Sequence, residues 1–173
     1  VIIDMKIKLG LIVCLLFSGM LHAQKPVTVE CRVGEGIGTT IQLFGVDKGE
    51  KKVLASASYN QNGYYGFSFI PKYEGFYVVG NGKNYEYPLY LKAGDAVSFF
   101  MDKDTVYLTG KHNTAENKVL YEWVNLSKRV CEKSTYFTRV HNSTFEDFFP
   151  DFEALLAKTE PFCKSIKTKN TRF

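Results

Sequence analysis

Thiols, imidazoles and paired carboxylates are the groups in this chain that could do chemistry. Cys31, Cys131 and Cys163 with His112 and His141 offer a nucleophile and a base, but no pair is close in sequence, so a Cys–His centre has no local support. No C-x-x-C occurs, which removes a thioredoxin-type redox centre from this chain. Asp102 and Asp104 with His112 could begin a metal site, but no third ligand at fitting spacing accompanies them, and carboxylates in a turn are ordinarily solvated. Gly34-Glu35-Gly36-Ile37-Gly38 looks like the opening of a phosphate loop, yet a strand pattern follows, leaving no helix N-terminus to hold a phosphate. G-x-S-x-G, H-E-x-x-H and Walker patterns are absent. These residues support no catalytic centre, no cofactor and no metal. What remains is a set of tyrosines, Tyr64, Tyr73, Tyr85, Tyr87 and Tyr90, whose rings could stack on a glycan or peptide. Packing in the core or at its rim is the other reading for them.

The elements that must carry these side chains are mostly strands. Val27 to Val33 alternates, with Val27, Val29, Cys31 and Val33 on one face. Further strands are expected at Thr40 to Val46, Lys52 to Tyr59, from Tyr65 to Phe69, and at Gly75 to Val79, Tyr85 to Leu91, Ala96 to Met101 and Thr105 to Leu108. Between them stand Asp47-Lys48-Gly49-Glu50, Asn60-Gln61-Asn62-Gly63, Asn81-Gly82, Lys92-Ala93-Gly94-Asp95 and Asp102-Lys103-Asp104, all of turn chemistry. About eight or nine strands at this spacing predict an antiparallel β-sandwich or open barrel.

Two amphipathic helices follow. Asn113-Thr114-Ala115-Glu116 can act as a capping box, after which Val119, Leu120, Trp123, Leu126, Val130 and Cys131 form one apolar stripe. Trp123, the only tryptophan, is expected to pack in the core. Ser143-Thr144-Phe145-Glu146 is a second helix start, Pro150 suits the first turn of a new helix, and Pro161 is expected to kink or end that helix. Cys131 and Cys163 lie on the two stripes and could form a disulfide; buried free thiols are the preferred reading.

Met5 to Ala23 has the layout of a secretory signal peptide: Lys6 and Lys8, an apolar run from Leu9 to Phe17, then small residues up to Ala23. The domains are therefore expected as 1–23 signal peptide, 24–111 β-sandwich and 112–173 helical segment. Membrane attachment would come only through the leader, if cleavage fails. The net charge of +4 is spread among interspersed acids and bases, which argues against a nucleic-acid groove.

Several short pieces carry a family resemblance: Asn62-Gly63-Tyr64-Tyr65-Gly66-Phe67-Ser68-Phe69, Gly75-Phe76-Tyr77, Leu89-Tyr90-Leu91-Lys92-Ala93-Gly94-Asp95, Tyr107-Leu108-Thr109-Gly110 and the helical tail with Ile166-Lys167-Thr168-Lys169-Asn170. They resemble exported bacterial proteins in which a signal peptide, a β-rich domain of unknown function and a helical segment precede a thioredoxin-like domain of the TlpA/ResA thiol–disulfide oxidoreductase type. The resemblance implies the non-catalytic N-terminal module of a periplasmic or outer-membrane-associated Gram-negative redox protein, here truncated before its redox domain. Its implied partners are a thioredoxin-like domain, normally in cis, or envelope proteins. That family's functional residues are a C-x-x-C pair in the thioredoxin domain, so none transfers to this chain. An independent envelope module that binds a glycan or peptide on its aromatic face is the alternative.

Overall fold

The computed structural model describes residues 25–60, 63–103, 105–138 and 145–173. The expected leader, Gln61-Asn62, Asp104, His141 and the Ser143-Thr144 cap lie outside them. Eight strands form: β1 (Val27–Val33), β2 (Thr40–Asp47), β3 (Glu50–Ser58), β4 (Tyr65–Phe69), β5 (Gly75–Gly80), β6 (Glu86–Leu91), β7 (Ala96–Met101) and β8 (Val106–Leu108). They build two four-stranded sheets, ordered β4-β1-β7-β8 and β3-β2-β5-β6. The result is a sandwich and not a closed barrel. Two helices follow, α1 (Ala115–Thr138) and α2 (Phe145–Ser165).

Alternation drives the packing. Val27, Val29 and Cys31 of β1, Tyr65 and Phe67 of β4, and Val97, Phe99 and Met101 of β7 meet Ile41 and Leu43 of β2, Tyr77 and Val79 of β5, and Leu89 and Leu91 of β6 in one buried core. Every strand pairing is antiparallel except β1 with β7, which run parallel from Thr28–Ala96 to Val33–Met101. Alternation marks which face is buried and is silent on strand direction, so this pair was not legible. The β2–β3 turn matches its chemistry: Lys48 and Gly49 both have positive φ, at 51° and 85°, as a two-residue hairpin of the mirror-image type requires.

Two asparagines four residues apart join the helices to the sandwich. β6 is the edge of its sheet. There the Asn117 side chain accepts from the Tyr90 N–H at 2.9 Å and donates to the Tyr90 carbonyl at 2.7 Å, as a neighbouring strand would. In the other sheet, Asn113 accepts from the Ser98 N–H and donates to the Ser98 carbonyl, both at 3.0 Å, beyond the end of β8. The capping residue is consequently Thr114, whose hydroxyl accepts from the Asn117 N–H. The expected Asn113–Glu116 box is displaced by one residue, because tertiary bonds claim both side chains.

The buried face of α1 also differs from the expected stripe. Among the side chains described for it, Glu116, Asn117, Tyr121 and Ser127 are the buried ones, while Val119, Trp123, Leu126 and Val130 are only half-buried. Trp123 turns to α2, with its ring 5.6 Å from Phe162. Nor does Pro161 end α2, which continues to Ser165, and Pro150 sits six residues in rather than in the first turn. Among the described residues no helix is long and apolar enough to cross a membrane.

Candidate functional site

The five tyrosines do not form one face. Tyr64 lies under the Arg32 guanidinium, 5.1 Å from ring centre to charge. Tyr73 stacks on Tyr77 at 4.9 Å near the β2–β3 hairpin. Tyr90 is buried, and its hydroxyl donates to Glu74 at 3.2 Å. Only Tyr85 and Tyr87 stand together, on the approach to and the start of β6. Nearness in sequence does not fix nearness across two sheets, so the five tyrosines expected as a ligand face are distributed over several surfaces.

Tyr85 and Tyr87 instead meet α1. A groove of about 730 Å³ runs between them and the helix, with Leu120, Trp123, Val124, Ser127 and Cys131 spaced along its far wall. Those helical positions recur at three- and four-residue steps, so one face of α1 supplies the wall. Its volume falls in the range of roughly 300–1,000 Å³ typical of small-molecule sites, which favour seams between structural units. Asn84, Glu86, Lys103, Lys128 and Glu132 give it a polar rim. Lys128 and Glu132 pair at 3.6 Å, and Glu86 pairs with Lys51; such exposed pairs exchange readily with other partners.

Local chemistry explains why the strand side of the groove is well placed. The Asn81 side-chain oxygen accepts from the N–H groups of Lys83, Asn84 and Tyr85, at 3.0, 3.2 and 3.2 Å. Its amide donates to the Ile37 carbonyl at 3.0 Å, tying the β5–β6 loop to the glycine-rich turn after β1. Tyr87 donates to the Asp102 carbonyl at 3.2 Å, which fixes its ring from the other sheet. Trp123 is the aromatic that sequence reasoning assigned elsewhere. Its half-exposed ring closes the groove because Asn117 and Asn113 set the rotation of α1.

A second, more apolar groove of about 560 Å³ lies beside β3, lined by Leu54, Phe69, Ile70, Tyr73 and Tyr77. Its hydroxyls are already engaged: Tyr73 accepts from the Val46 N–H and donates to the Val46 carbonyl, and Tyr77 donates to the Tyr73 carbonyl. Asp47, Lys52 and Lys72 give it a charged edge, and it has tyrosines but no tryptophan.

The cysteines separate as well. Cys31 is buried, and burial pushes its thiol up to about 12. Cys163 is a free thiol, so the Cys131–Cys163 disulfide is not formed. Both helical cysteines are exposed, not buried; Cys131 stands at the open end of the groove wall and is not covered by the sandwich. Asp102 uses a carboxylate oxygen to accept from the Thr105 N–H at 2.6 Å and from its hydroxyl, and His112 is exposed. Among the described residues no three His, Cys, Asp or Glu side chains group as metal ligands.

No family model matches the chain, and no curated protein matches it at significance. Three solved structures show limited likeness. A family-26 carbohydrate-binding module from Eubacterium rectale, solved with maltoheptaose, aligns at TM-score 0.36 and 19% identity, over 50% of each chain. A DUF3823 family protein from Parabacteroides merdae aligns at 0.29 and 16% identity, over 49% of this chain and 46% of that one. A putative cell adhesion protein from Bacteroides ovatus aligns at 0.28 and 10% identity, over 51% and 44%. This chain thus spans about half the length of each structure, and likeness at this level does not extend to a shared ligand.

Proposed function

We propose that this chain is a non-catalytic binding module of the bacterial cell envelope, and that the groove between β6 and α1 takes a saccharide. The observation that carries this reading is the convergence of Tyr85, Tyr87 and Trp123 on one groove with a polar rim. Sugar rings combine apolar C–H faces with a fringe of hydroxyls. Aromatic platforms flanked by carboxylate, ammonium and amide groups match both parts.

The single tryptophan makes the test direct. Titration with a panel of neutral and acidic oligosaccharides, read by Trp123 emission and calorimetry, should give saturable binding to one class. Trp123→Ala should abolish that binding, whereas Tyr73→Ala, at the other groove, should leave it intact. Silence across the panel, or binding that survives Trp123→Ala, refutes the saccharide reading. Binding of extended peptides in the same groove would redirect the ligand class.

A second reading is a positioning domain for a thioredoxin-like partner, in line with the family resemblance. Exposed Leu156 on α2 favours it, since it leaves apolar surface for a partner. Insulin reduction above a thiol-blocked control would overturn the non-catalytic premise common to both readings.

A further inference from the structure

The residues after α2 return to the sandwich and make a set of contacts that resembles a peptide seated in a receptor. Asn170 donates to Glu74 Oε1 at 2.7 Å and to the Tyr90 hydroxyl at 3.4 Å. Thr168 donates to Glu116 Oε1 at 3.2 Å, and Arg172 lies 3.6 Å from Glu74 Oε2. The Phe173 ring meets Tyr90 edge-on at 5.1 Å and lies 6.3 Å from Phe76. The segment is also internally braced: the Thr168 hydroxyl accepts from the Asn170 N–H, and Asn170 Oδ1 accepts from the Arg172 N–H.

We propose that Glu74, Phe76, Tyr90 and Glu116 form a recognition site for a basic peptide carrying a carboxamide and an aromatic ring three residues apart, with the chain's own Thr168–Phe173 as resident occupant. Charge fits this assignment. The segment carries Lys169 and Arg172, with Lys167 just before it, and the site offers the carboxylates of Glu74 and Glu116. Glu116 is almost fully covered, and its position on the first turn of α1 couples the docked segment to the helix that walls the groove. The docked segment thereby latches the end of α2 to β5 and β6. This site is distinct from the groove, and the inference stands whether or not the groove takes a sugar.

The test uses the full chain. Asn170→Ala with Phe173→Ala releases the segment, and hydrogen exchange of the Arg172 amide accelerates. A labelled peptide of residues 166–173 then binds that variant saturably. The unaltered chain takes up the peptide only at the roughly millimolar concentration needed to displace a tethered copy. Adding Glu74→Gln weakens peptide binding about tenfold, because a charge-assisted acceptor is lost. Peptide binding no tighter than that of a scrambled sequence, or unchanged by Glu74→Gln, overturns the proposal. Arg172→Glu, at an exposed position, provides the same decision without risk to the fold. It should speed exchange across 166–173, and unchanged exchange refutes the latch.

Discussion

Replacing Asn117 by alanine tests how the helices are held. Asn117 is 0% exposed and serves both the N–H and the carbonyl of Tyr90, two groups on the outer side of an edge strand. Alanine leaves both unpaired beneath α1. A buried backbone group without a partner costs about 1–3 kcal/mol, so the pair predicts a loss of about 3 kcal/mol after some water entry. That is a large share of the roughly 5–15 kcal/mol by which domains are stable. Urea denaturation should move to a lower midpoint with unchanged slope, and Trp123 emission should shift red as α1 loosens from β6. Asn117→Asp separates hydrogen bonding from packing. Its ionised form keeps the acceptor for the Tyr90 N–H but sets negative charge against the Tyr90 carbonyl, so its folded pKa is raised. The variant should therefore be most stable at low pH and lose stability as pH rises through that value. A loss below about 1 kcal/mol for Asn117→Ala would refute the reasoning, since water would then satisfy the edge as well as the side chain does.

Three further outcomes follow from buried or paired groups. The Tyr121 hydroxyl is buried and has no hydrogen-bond partner among the described residues, so Tyr121→Phe should raise stability by about 1 kcal/mol in the same assay. Cys163 should react with a thiol reagent in the native protein, while Cys31, buried with its thiol pushed up to about 12, should react only as the chain unfolds; prompt modification of Cys31 in native buffer would contradict the packing. Burial alone would raise the Glu116 carboxyl, but its own backbone N–H, Lys92 and the Thr168 and Asn170 donors outweigh that and hold it below its ordinary 4.5. A depressed folded pKa contributes stability above the ordinary value and loses it as pH falls through the folded one. Acid titration of stability should therefore show a limb below about pH 4.5 that Glu116→Gln reduces. Asp95, raised by burial, acts in the opposite sense, so the comparison is between the unaltered chain and Glu116→Gln.

The sandwich was largely legible in the sequence because its determinants are local. Period-2 alternation placed β1 to the residue, the turn at Lys92-Ala93-Gly94-Asp95 did the same for β7, and turn chemistry at Asp47-Lys48-Gly49-Glu50 and Asn81-Gly82 placed two hairpins. Each such decision involves residues within a few positions of one another. Which strands become neighbours, and in which direction, depends on long-range burial, and the parallel β1–β7 pairing carries no local mark.

The candidate site was the least legible part, for a related reason. Sequence periodicity marks α1 as amphipathic but does not say which flank meets the sheet. A polar residue on the buried side reads as an interruption of the stripe. Asn117 is buried because its amide reproduces a strand's hydrogen bonds at an edge that only the assembled sheet possesses. With Asn113, that contact seats α1 on the sandwich, and Trp123 then lines the same groove as Tyr85 and Tyr87 from 36 or more residues away. The chain by itself determined its strands, its turns and the presence of two helices, since those follow from backbone preference and short-range patterning. The tertiary structure alone decided which aromatics share a groove, which thiol is sealed and where the last residues dock, since those follow from packing between distant elements.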